Sequence, residues 1–264
     1  MRGVFIANKK LNAIRHFSSL DKQCSSKVFC DNHTPLPDIY NELNVCPQPF
    51  MRKESSTIEI LNINVIDAVN EERKLKNKAL VLNAGSFKTP GGNFKNGSFE
   101  QEELLCHCTN LYPALLKETD WYSSHKKIAN YGLYNDDCIV SHNVSLLYDS
   151  DLNPIVNDCY IFGVLTCSPV NLRSVLHNRP CIQEYAISVM SMRVATLLGV
   201  ASVYNDCYDT LILNAFGCKI GGHNPTIVAK MFKDFLDKRY QNCFKKIVFA
   251  IPEEKYYSVF DKTL

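Results

Sequence analysis

The chain has 264 residues, of which 46% are hydrophobic, so it can bury a substantial core. Its formal net charge is only +2, which argues against a nucleic-acid or membrane surface built on bulk charge. No apolar run in the sequence approaches the roughly 20 residues of a membrane span. We therefore expect a globular protein with no membrane partner and no direct nucleic-acid binding.

The cysteines and the first residues bear on the cellular compartment. The twelve cysteines are scattered and no secretory signal peptide is recognisable, which favours reduced thiols over disulfides. Residues 1–19 are basic and contain no acid, and this pattern is typical either of a mitochondrial import sequence or of an ordinary N-terminal helix or tail. We expect an intracellular protein, cytoplasmic or nuclear, with mitochondrial import by residues 1–19 as the alternative.

The pattern along the chain changes near residue 56. Residues 1–55 are rich in turn formers and predict a partly irregular N-terminal extension. After it, strands and helices alternate, which predicts an α/β fold with a mixed sheet and helices on both faces. The predicted strands cover residues 57–67, 79–83, 137–141, 158–167, 208–217 and 245–251, and the predicted helices cover 67–77, 104–115, 181–200 and 225–240.

Two loops after predicted strands are placed to hold one ligand, because ligands in open α/β sheets bind beyond the carboxyl ends of the strands. The first loop, residues 83–103, contains a Pro-Gly-Gly-Asn turn and ends in Gln-Glu-Glu at the start of a helix. The second loop, residues 214–225, is rich in glycine and leads into another helix, where backbone N–H groups suit a phosphate or diphosphate. Taken alone, tight turns and the helix dipole also explain these glycines and glutamates.

The first loop also carries a family signature. The segment VLNAGSFKTPGGNFKNGSFEQEELLC, residues 81–106, resembles the microbial-type poly(ADP-ribose) glycohydrolases of the macro-domain superfamily. Their signature is three glycines, a gap of six to eight residues and Gln-Glu-Glu. The resemblance continues through FGVLTCSPVN and LILNAFGC, covering roughly residues 55–264. It implies a three-layer α/β/α macro-domain-like fold, with a catalytic domain over residues 56–264 and a cleft for ADP-ribose.

The resemblance further implies roles for single residues. Glu103 corresponds to the catalytic glutamate, while Glu102 and Gln101 correspond to residues that hold the scissile ribose and shape the site. The other implied substrate-binding residues are Asn83, Ser86, Gly91, Gly92 and Asn93 in the first loop, and Gly217, Cys218, Lys219, Gly221, Gly222 and Asn224 in the second. The family's chemistry needs no metal and no cofactor.

Cleavage of a ribose–ribose O-glycosidic bond requires a proton for the leaving oxygen and an activated water. The resemblance implies that Glu103 performs both steps as general acid and base. A helix N-terminus lowers the pKa of a carboxylate whereas a general acid needs it raised, so we expect ligand binding to bury Glu103 and raise its pKa. The expected product is ADP-ribose, the expected partners are poly(ADP-ribose) or ADP-ribosylated proteins, and we expect a monomer.

Two departures from the family pattern keep alternatives open. Asn93 stands at the third glycine of the signature, and the second loop is one residue longer, lacks an aromatic residue and carries Lys219. Lys219 either pairs with a diphosphate or points to solvent. The alternative function is therefore a weak or inactive macro domain that binds ADP-ribose or ADP-ribosylated proteins without cutting. A hydrolase of another ADP-ribosyl linkage is a third possibility.

Overall fold

The structure, a computed structural model, describes residues 25–29, 52, 55–156 and 158–264, and for residues 25–29 it describes the backbone alone. The basic segment 1–19 lies outside the described residues. The strands are β1 (Ser25–Phe29), β2 (Thr57–Leu61), β3 (Ala79–Ala84), β4 (Cys138–Ser145), β5 (Ile161–Cys167), β6 (Thr210–Leu213) and β7 (Lys246–Ala250). The helices are α1 (Val65–Leu75), α2 (Gln101–Cys108), α3 (Leu111–Leu115), α4 (Thr119–Lys127), α5 (Leu172–Asn178), α6 (Gln183–Ser202), α7 (Pro225–Lys238) and α8 (Glu254–Thr263).

The described strands form one mixed sheet in the order β1-β4-β5-β3-β6-β7-β2. The five strands from β5 to β2 in this order are parallel, β4 is antiparallel to β5, and β1 is antiparallel to β4. This confirms the predicted mixed α/β sheet. Strand β1 lies within the segment predicted as the N-terminal extension, so that segment supplies a strand to the sheet.

Alternating side chains of the central strand β3 face two separate cores. Leu80 and Leu82 lie in the core that α5, α6, α7 and α8 cover, whereas Ala79 and Val81 lie in the core that α1 and α2 cover. This is the period-two alternation of a strand with both faces buried. The predicted three-layer arrangement is therefore confirmed, and the carboxyl ends of the parallel strands all open to the same edge.

The predicted strand 57–67 is wrong in its second half. Strand β2 ends at Leu61, and the Asn64 side chain then accepts hydrogen bonds from the backbone N–H groups of Ile66 (2.9 Å) and Asp67 (3.0 Å). An asparagine in this position caps a helix, so Val65 begins α1 instead of continuing the strand.

The predicted single helix 104–115 is also wrong, because it is broken at Thr109. The Thr109 backbone is extended, and its hydroxyl donates to the Leu105 carbonyl (2.7 Å) while it accepts from the Leu111 N–H (3.1 Å). The apolar stripe seen in the sequence is therefore shared by α2 and α3, which lie end to end along the chain.

Helix α6 differs from the expectation about apolar length. Within the described residues, the segment Pro180–Ser202 is long and apolar enough, by length and composition alone, to cross a membrane. In the fold it is a core helix: Met190, Val194 and Leu198 are buried against the sheet, and Arg193 is buried with them.

Candidate active site

A cavity of about 1030 Å³ lies at the carboxyl ends of the parallel strands. It is at the upper limit of the volumes usual for small-molecule sites. Both predicted loops line it, together with the segments that follow β2, β5 and β7. The predicted site residues that line the cavity are Ser86, Gly92, Asn93, Gln101, Glu102, Glu103, Gly217, Lys219 and Gly221.

The glycine turn of the first loop lies directly against the two glutamates. Gly91 and Gly92 have φ angles of +67° and +56°, in the left-handed region that favours glycine. A Cβ atom on Gly92 would stand 2.4 Å from Oε1 of Glu103 and 3.0 Å from Oε2 of Glu102. The glycine is therefore required twice, by its backbone conformation and by the space that the carboxylates occupy.

Each glutamate is held by a backbone N–H of the first loop. Oε1 of Glu103 accepts from the Asn93 N–H at 2.8 Å, and Oε2 of Glu102 accepts from the Ser86 N–H at 2.7 Å. Both side chains are buried, with 7% of Glu103 and 5% of Glu102 exposed. The expectation that ligand binding buries Glu103 is therefore wrong, because the protein itself already buries it.

Gln101 joins the start of α2 to the end of β3. Its Oε1 accepts from the Ala84 N–H at 2.9 Å and its Nε2 donates to the Leu82 carbonyl at 2.6 Å. The side-chain amide thus continues the hydrogen-bonding pattern of the strand. This contact fixes the position of the helix start, and with it the position of the following two carboxylates.

The pKa of Glu102 is raised to about 8. Burial is the main cause, because it disfavours the charged form, and the neighbouring Glu103 carboxylate adds to it, while the Ser86 N–H opposes the shift. Glu102 therefore carries a proton at neutral pH. The raised pKa required of a general acid is found at the residue next to the predicted catalytic glutamate.

Three buried side-chain oxygens near the glutamates have no hydrogen-bond partner among the described residues. They are Oδ1 of Asn83, Oε1 of Glu102 and Oδ1 of Asn214. The Asn83 amide nitrogen contacts Thr166 Oγ1 at 3.2 Å, which leaves the amide oxygen unused. Buried acceptors without partners are rare in proteins, and leaving one unpaired costs about 1–3 kcal/mol. Two of these oxygens, on Glu102 and Asn214, belong to residues that line the cavity.

Lys219 bridges the second loop to two acidic residues. Its Nζ lies 2.6 Å from Oε2 of Glu100 and 2.7 Å from Oε1 of Glu253, and all three side chains line the cavity. Lys219 is 49% exposed, but its ammonium group is paired with these two carboxylates. These ion pairs are partly exposed, so each contributes only about 0–1 kcal/mol and can exchange for another anion.

The rest of the second loop is occupied with internal contacts. His223 is buried and its Nε2 hydrogen-bonds the Val170 carbonyl at 3.0 Å, so it does not replace the missing aromatic ring. The Asn224 side chain caps α7 by accepting from the Thr226 N–H at 2.9 Å. The predicted site residues that do not line the cavity are Asn83, Gly91, Cys218, Gly222 and Asn224.

The Asn93 side chain contacts Asn96, whereas its backbone N–H contacts Glu103. Asn93 has an ordinary negative φ of −101°, and its Oδ1 accepts from the Asn96 side chain at 2.6 Å. Its backbone N–H makes the hydrogen bond to Glu103 that any residue except proline could make. The third glycine of the family signature is therefore not needed here for backbone conformation.

No sequence pattern predicted the aromatic wall of the cavity. Phe87 and Tyr134 stack with their ring centroids 3.5 Å apart, and both line the cavity. Tyr112 and Tyr256 line it as well. Tyr134 follows no motif and lies between predicted elements, so no pattern in the sequence could have indicated it.

Arg193 supports this wall from within the core. It is fully buried, pairs with Asp136, and donates to the carbonyl of Leu133 at 2.7 Å and that of Ser168 at 2.5 Å. These bonds hold the segments before Tyr134 and after β5. The sequence placed this arginine within a helix and offered no indication of its partners.

The run Cys106-His107-Cys108 contains residue types that can bind a metal ion. All three residues are buried, and His107 Nε2 contacts the Ser98 carbonyl at 3.1 Å. Within the part of the chain that the structure describes, no group of three or more His, Cys, Asp or Glu side chains is arranged to hold a metal ion. The nine described cysteines are free thiols.

Comparison with known proteins gives a family and a fold. Residues 11–149, more than half of the chain, match the family model "Microbial-type PARG, catalytic domain". No curated protein is similar enough in sequence to count as a match. The match includes the first loop and both glutamates, begins inside the predicted extension, and ends before the second loop.

Similar folds occur in solved structures of bacterial poly(ADP-ribose) glycohydrolases. The Deinococcus radiodurans protein in complex with ADP-ribose is 23% identical with a TM-score of 0.80, over 94% of this chain and 96% of that one. The Thermomonospora curvata protein is 22% identical with a TM-score of 0.79, over 98% and 89%. The latter, bound to the inhibitor ADP-HPD, matches with a TM-score of 0.76.

Proposed function

The chain belongs to the microbial-type PARG catalytic-domain family, and from that premise we propose that it hydrolyses poly(ADP-ribose) and releases ADP-ribose. One observation carries the proposal. The buried pair Glu102 and Glu103 is held against a glycine turn inside a cavity large enough for the ligand. A module that only binds ADP-ribose has no need for two buried acids at one point.

The unpaired oxygens indicate where a ribose would bind. Ribose hydroxyls are donors, and Oε1 of Glu102 and Oδ1 of Asn214, both from residues that line the cavity, are acceptors without a partner among the described residues. A ribose at this edge of the cavity would satisfy them and would stand beside Glu103. The missing side chain of Gly92 lets the two carboxylates pack against the turn, which places them beside that sugar.

The carboxyl pair holds the one proton that glycoside hydrolysis needs for its leaving oxygen. Because the pKa of Glu102 is about 8, the pair retains one proton at neutral pH. We assign Glu103 both proton transfers, as the family resemblance implies. The shared proton would pass from Glu102 to Glu103 and on to the leaving oxygen, and the Glu103 carboxylate would then take a proton from the attacking water, so that the pair regains its one proton. While the shared proton lies on Glu103, the unpaired Oε1 of Glu102 would accept a hydrogen bond from a hydroxyl of the scissile ribose.

Lys219 would change partners when a diphosphate binds. A diphosphate carries more charge than either carboxylate, and the exposed bridge to Glu100 and Glu253 is weak. Lys219 would then contact the ligand as a point charge, while the two acids remain on the cavity rim. Because these two acids would stay near the bound diphosphate, we expect only moderate affinity for ADP-ribose.

The ion pairs of Lys219 with Glu100 and Glu253 favour a second candidate function, a module that binds ADP-ribose without cutting it. Lys219 is already neutralised, and the family's aromatic residue is absent from the second loop. Under this alternative, the cavity would hold ADP-ribose or an ADP-ribosylated protein without turnover.

One experiment separates the two functions. Purified protein and its Glu103→Ala variant are incubated with poly(ADP-ribose), and free ADP-ribose is measured by chromatography. We expect release by the wild type and none by the variant. Binding without release by both proteins would support the module, and equal release by both would reject the role of Glu103.

Further expectations from the sequence stay predictions. These are the boundary at residues 55 and 56, the monomeric state, the intracellular location and the lack of nucleic-acid binding. ADP-ribose as the released product is part of the proposal above.

A further inference from the structure

The reaction proposed above needs room for two ADP-ribose units. The scissile bond joins the ribose beside the glutamates to the adenosine of the next unit, which leaves when the bond breaks. The cavity of about 1030 Å³ is at the upper limit of the roughly 300–1,000 Å³ of a typical single-ligand site. Any contact with the leaving unit must therefore come from lining residues that lie beside the two glutamates.

Lys95 is a lining cation without an acidic partner. Among the described residues, the cavity is lined by two basic side chains, Lys95 and Lys219, and Lys219 is paired with Glu100 and Glu253. Lys95 has no acidic partner in the same part of the chain and stands over the Tyr112 ring, with its Nζ 5.4 Å from the centroid. A cation beside an aromatic face is a combination that proteins use to bind phosphate and a stacked base.

The position of this pair relates it to the scissile bond. The Asn93 N–H binds Glu103, and Lys95 follows two residues later in the same turn. On the other side of the turn, a Cβ atom on Gly91 would lie 2.8 Å from the Tyr112 ring. The glycine turn thus has the glutamates against Gly92 and the aromatic ring against Gly91, so the two surfaces are contiguous.

The apolar part of this surface is exposed. Leu116 lies one helical turn after Tyr112, lines the cavity and is 45% exposed. The Asn96 side chain, bonded to Asn93, lines the cavity beside Lys95. Together these residues offer an apolar surface with an amide and a cation at its edge.

We propose that Lys95, Asn96, Tyr112 and Leu116 form a subsite for the adenosine diphosphate part of the leaving unit. This proposal rests on the proposed function and deepens it. It makes the protein selective for chains of two or more units over a single ADP-ribose.

The test measures binding, so that it does not depend on turnover. Calorimetry with the Glu103→Gln background compares ADP-ribose with a purified fragment of two linked ADP-ribose units. We expect Lys95→Met to weaken binding of the two-unit fragment roughly fivefold and to leave ADP-ribose binding unchanged. Lys95→Arg keeps the charge and the stacking, so it should retain the wild-type affinity for both ligands.

Lys88→Met is the matched control. Lys88 lies in the same loop and also stands over an aromatic ring, 4.9 Å from the Phe87 centroid, but does not line the cavity. It should change neither affinity. Equal weakening of both ligands by Lys95→Met would place Lys95 in the first unit's site, and no weakening would remove it from binding; either result overturns the subsite. Failure of the wild type to release ADP-ribose would reject the proposed function and leave these binding results intact.

Discussion

The two loops that line the cavity differ in how their polar groups are used. In the first loop, backbone N–H groups hold Glu102 and Glu103 in place, yet buried oxygens of Asn83 and Glu102 have no partner in the described part of the chain. In the second loop, the buried Oδ1 of Asn214 is likewise unpaired among the described residues, but Lys219, His223 and Asn224 are engaged by contacts within the protein. Unsatisfied, rigidly held groups are expected where a ligand reacts, because the ligand completes their bonding.

The match to the family model also separates the two loops. It covers the first loop, and it ends before the second, where the chain departs from the family pattern. The comparison suggests that the first loop carries the chemistry and that the second shapes the cavity and adjusts affinity. The following experiments, from the largest expected effect to the smallest, test that division.

Among the substitutions that compare the two loops, Gly92→Ala should have the largest effect. The added Cβ would stand 2.4 Å from the Glu103 carboxylate, at a residue with φ of +56°. Displacing a catalytic group by about 1 Å can cost on the order of 100-fold in rate, so we expect a loss of that size in kcat. Steady-state release of ADP-ribose measures it.

Gly217→Ala is the matched change in the second loop. Gly217 also has a positive φ, of +74°, but its added Cβ would first meet the flexible end of Met190, at 2.8 Å. Activity should fall by less than about fivefold, since the catalytic geometry is undisturbed. A comparable loss in both variants would contradict the division between the loops.

The proton on Glu102 should make the free energy of unfolding depend on pH. Its pKa is about 8 in the folded protein and near 4.5 ordinarily, so the stabilisation is complete below pH 4.5 and is lost as pH rises to 8. The slope approaches about 1.4 kcal/mol per pH unit within this range. Glu102→Gln should reduce the slope, as measured by urea unfolding at pH 5, 6.5 and 8.

Glu71→Gln serves as its control. Glu71 is an exposed carboxylate paired with Lys74, so its replacement should leave the slope as in the wild type. If Glu102→Gln and the wild type show the same slope, Glu102 does not hold the proton that the mechanism requires.

Variants of the ion-pair bridge should have smaller and opposite effects. Lys219→Met should weaken ADP-ribose binding about threefold, because the cation is lost. Glu253→Gln should tighten it by a similar factor, because it frees Lys219 and removes a negative charge from the rim. Calorimetry at low and high salt measures both. Identical shifts in the same direction would show that Lys219 does not exchange partners.

Asn93→Gly should have the smallest effect. The residue has an ordinary φ and its side chain bonds Asn96, while its backbone N–H to Glu103 is kept in the variant. We expect kcat/KM to change by less than about twofold. A large gain would show that the Asn93 side chain obstructs the ligand.

The sequence predicted those features that depend on local patterns. Gln101, Glu102 and Glu103 stand at a helix start within a motif, and their place in the cavity follows from the preceding strand and the glycine turn. The alternation of strands and helices predicted the sheet in the same way. Boundaries failed where a side-chain cap decided them, as Asn64 does at α1.

Features that depend on tertiary contacts could not be predicted. The partners of Lys219 are Glu100 at the start of α2 and Glu253 before α8, which only the folded sheet brings together. The wall formed by Phe87 and Tyr134 depends on Arg193 in a distant helix. Helix α8 was missed because its apolar face is short, with Tyr256 and Phe260 as its buried residues.

The central claim is that Glu103 performs the chemistry while Glu102 holds a proton beside it. The most direct test is the single-turnover rate of ADP-ribose release from poly(ADP-ribose) by Glu103→Gln, with ADP-ribose affinity measured on the same protein. Loss of a general acid and base predicts a rate about 10²–10⁴-fold below the wild type, with affinity nearly unchanged. A rate close to that of the wild type would contradict the account.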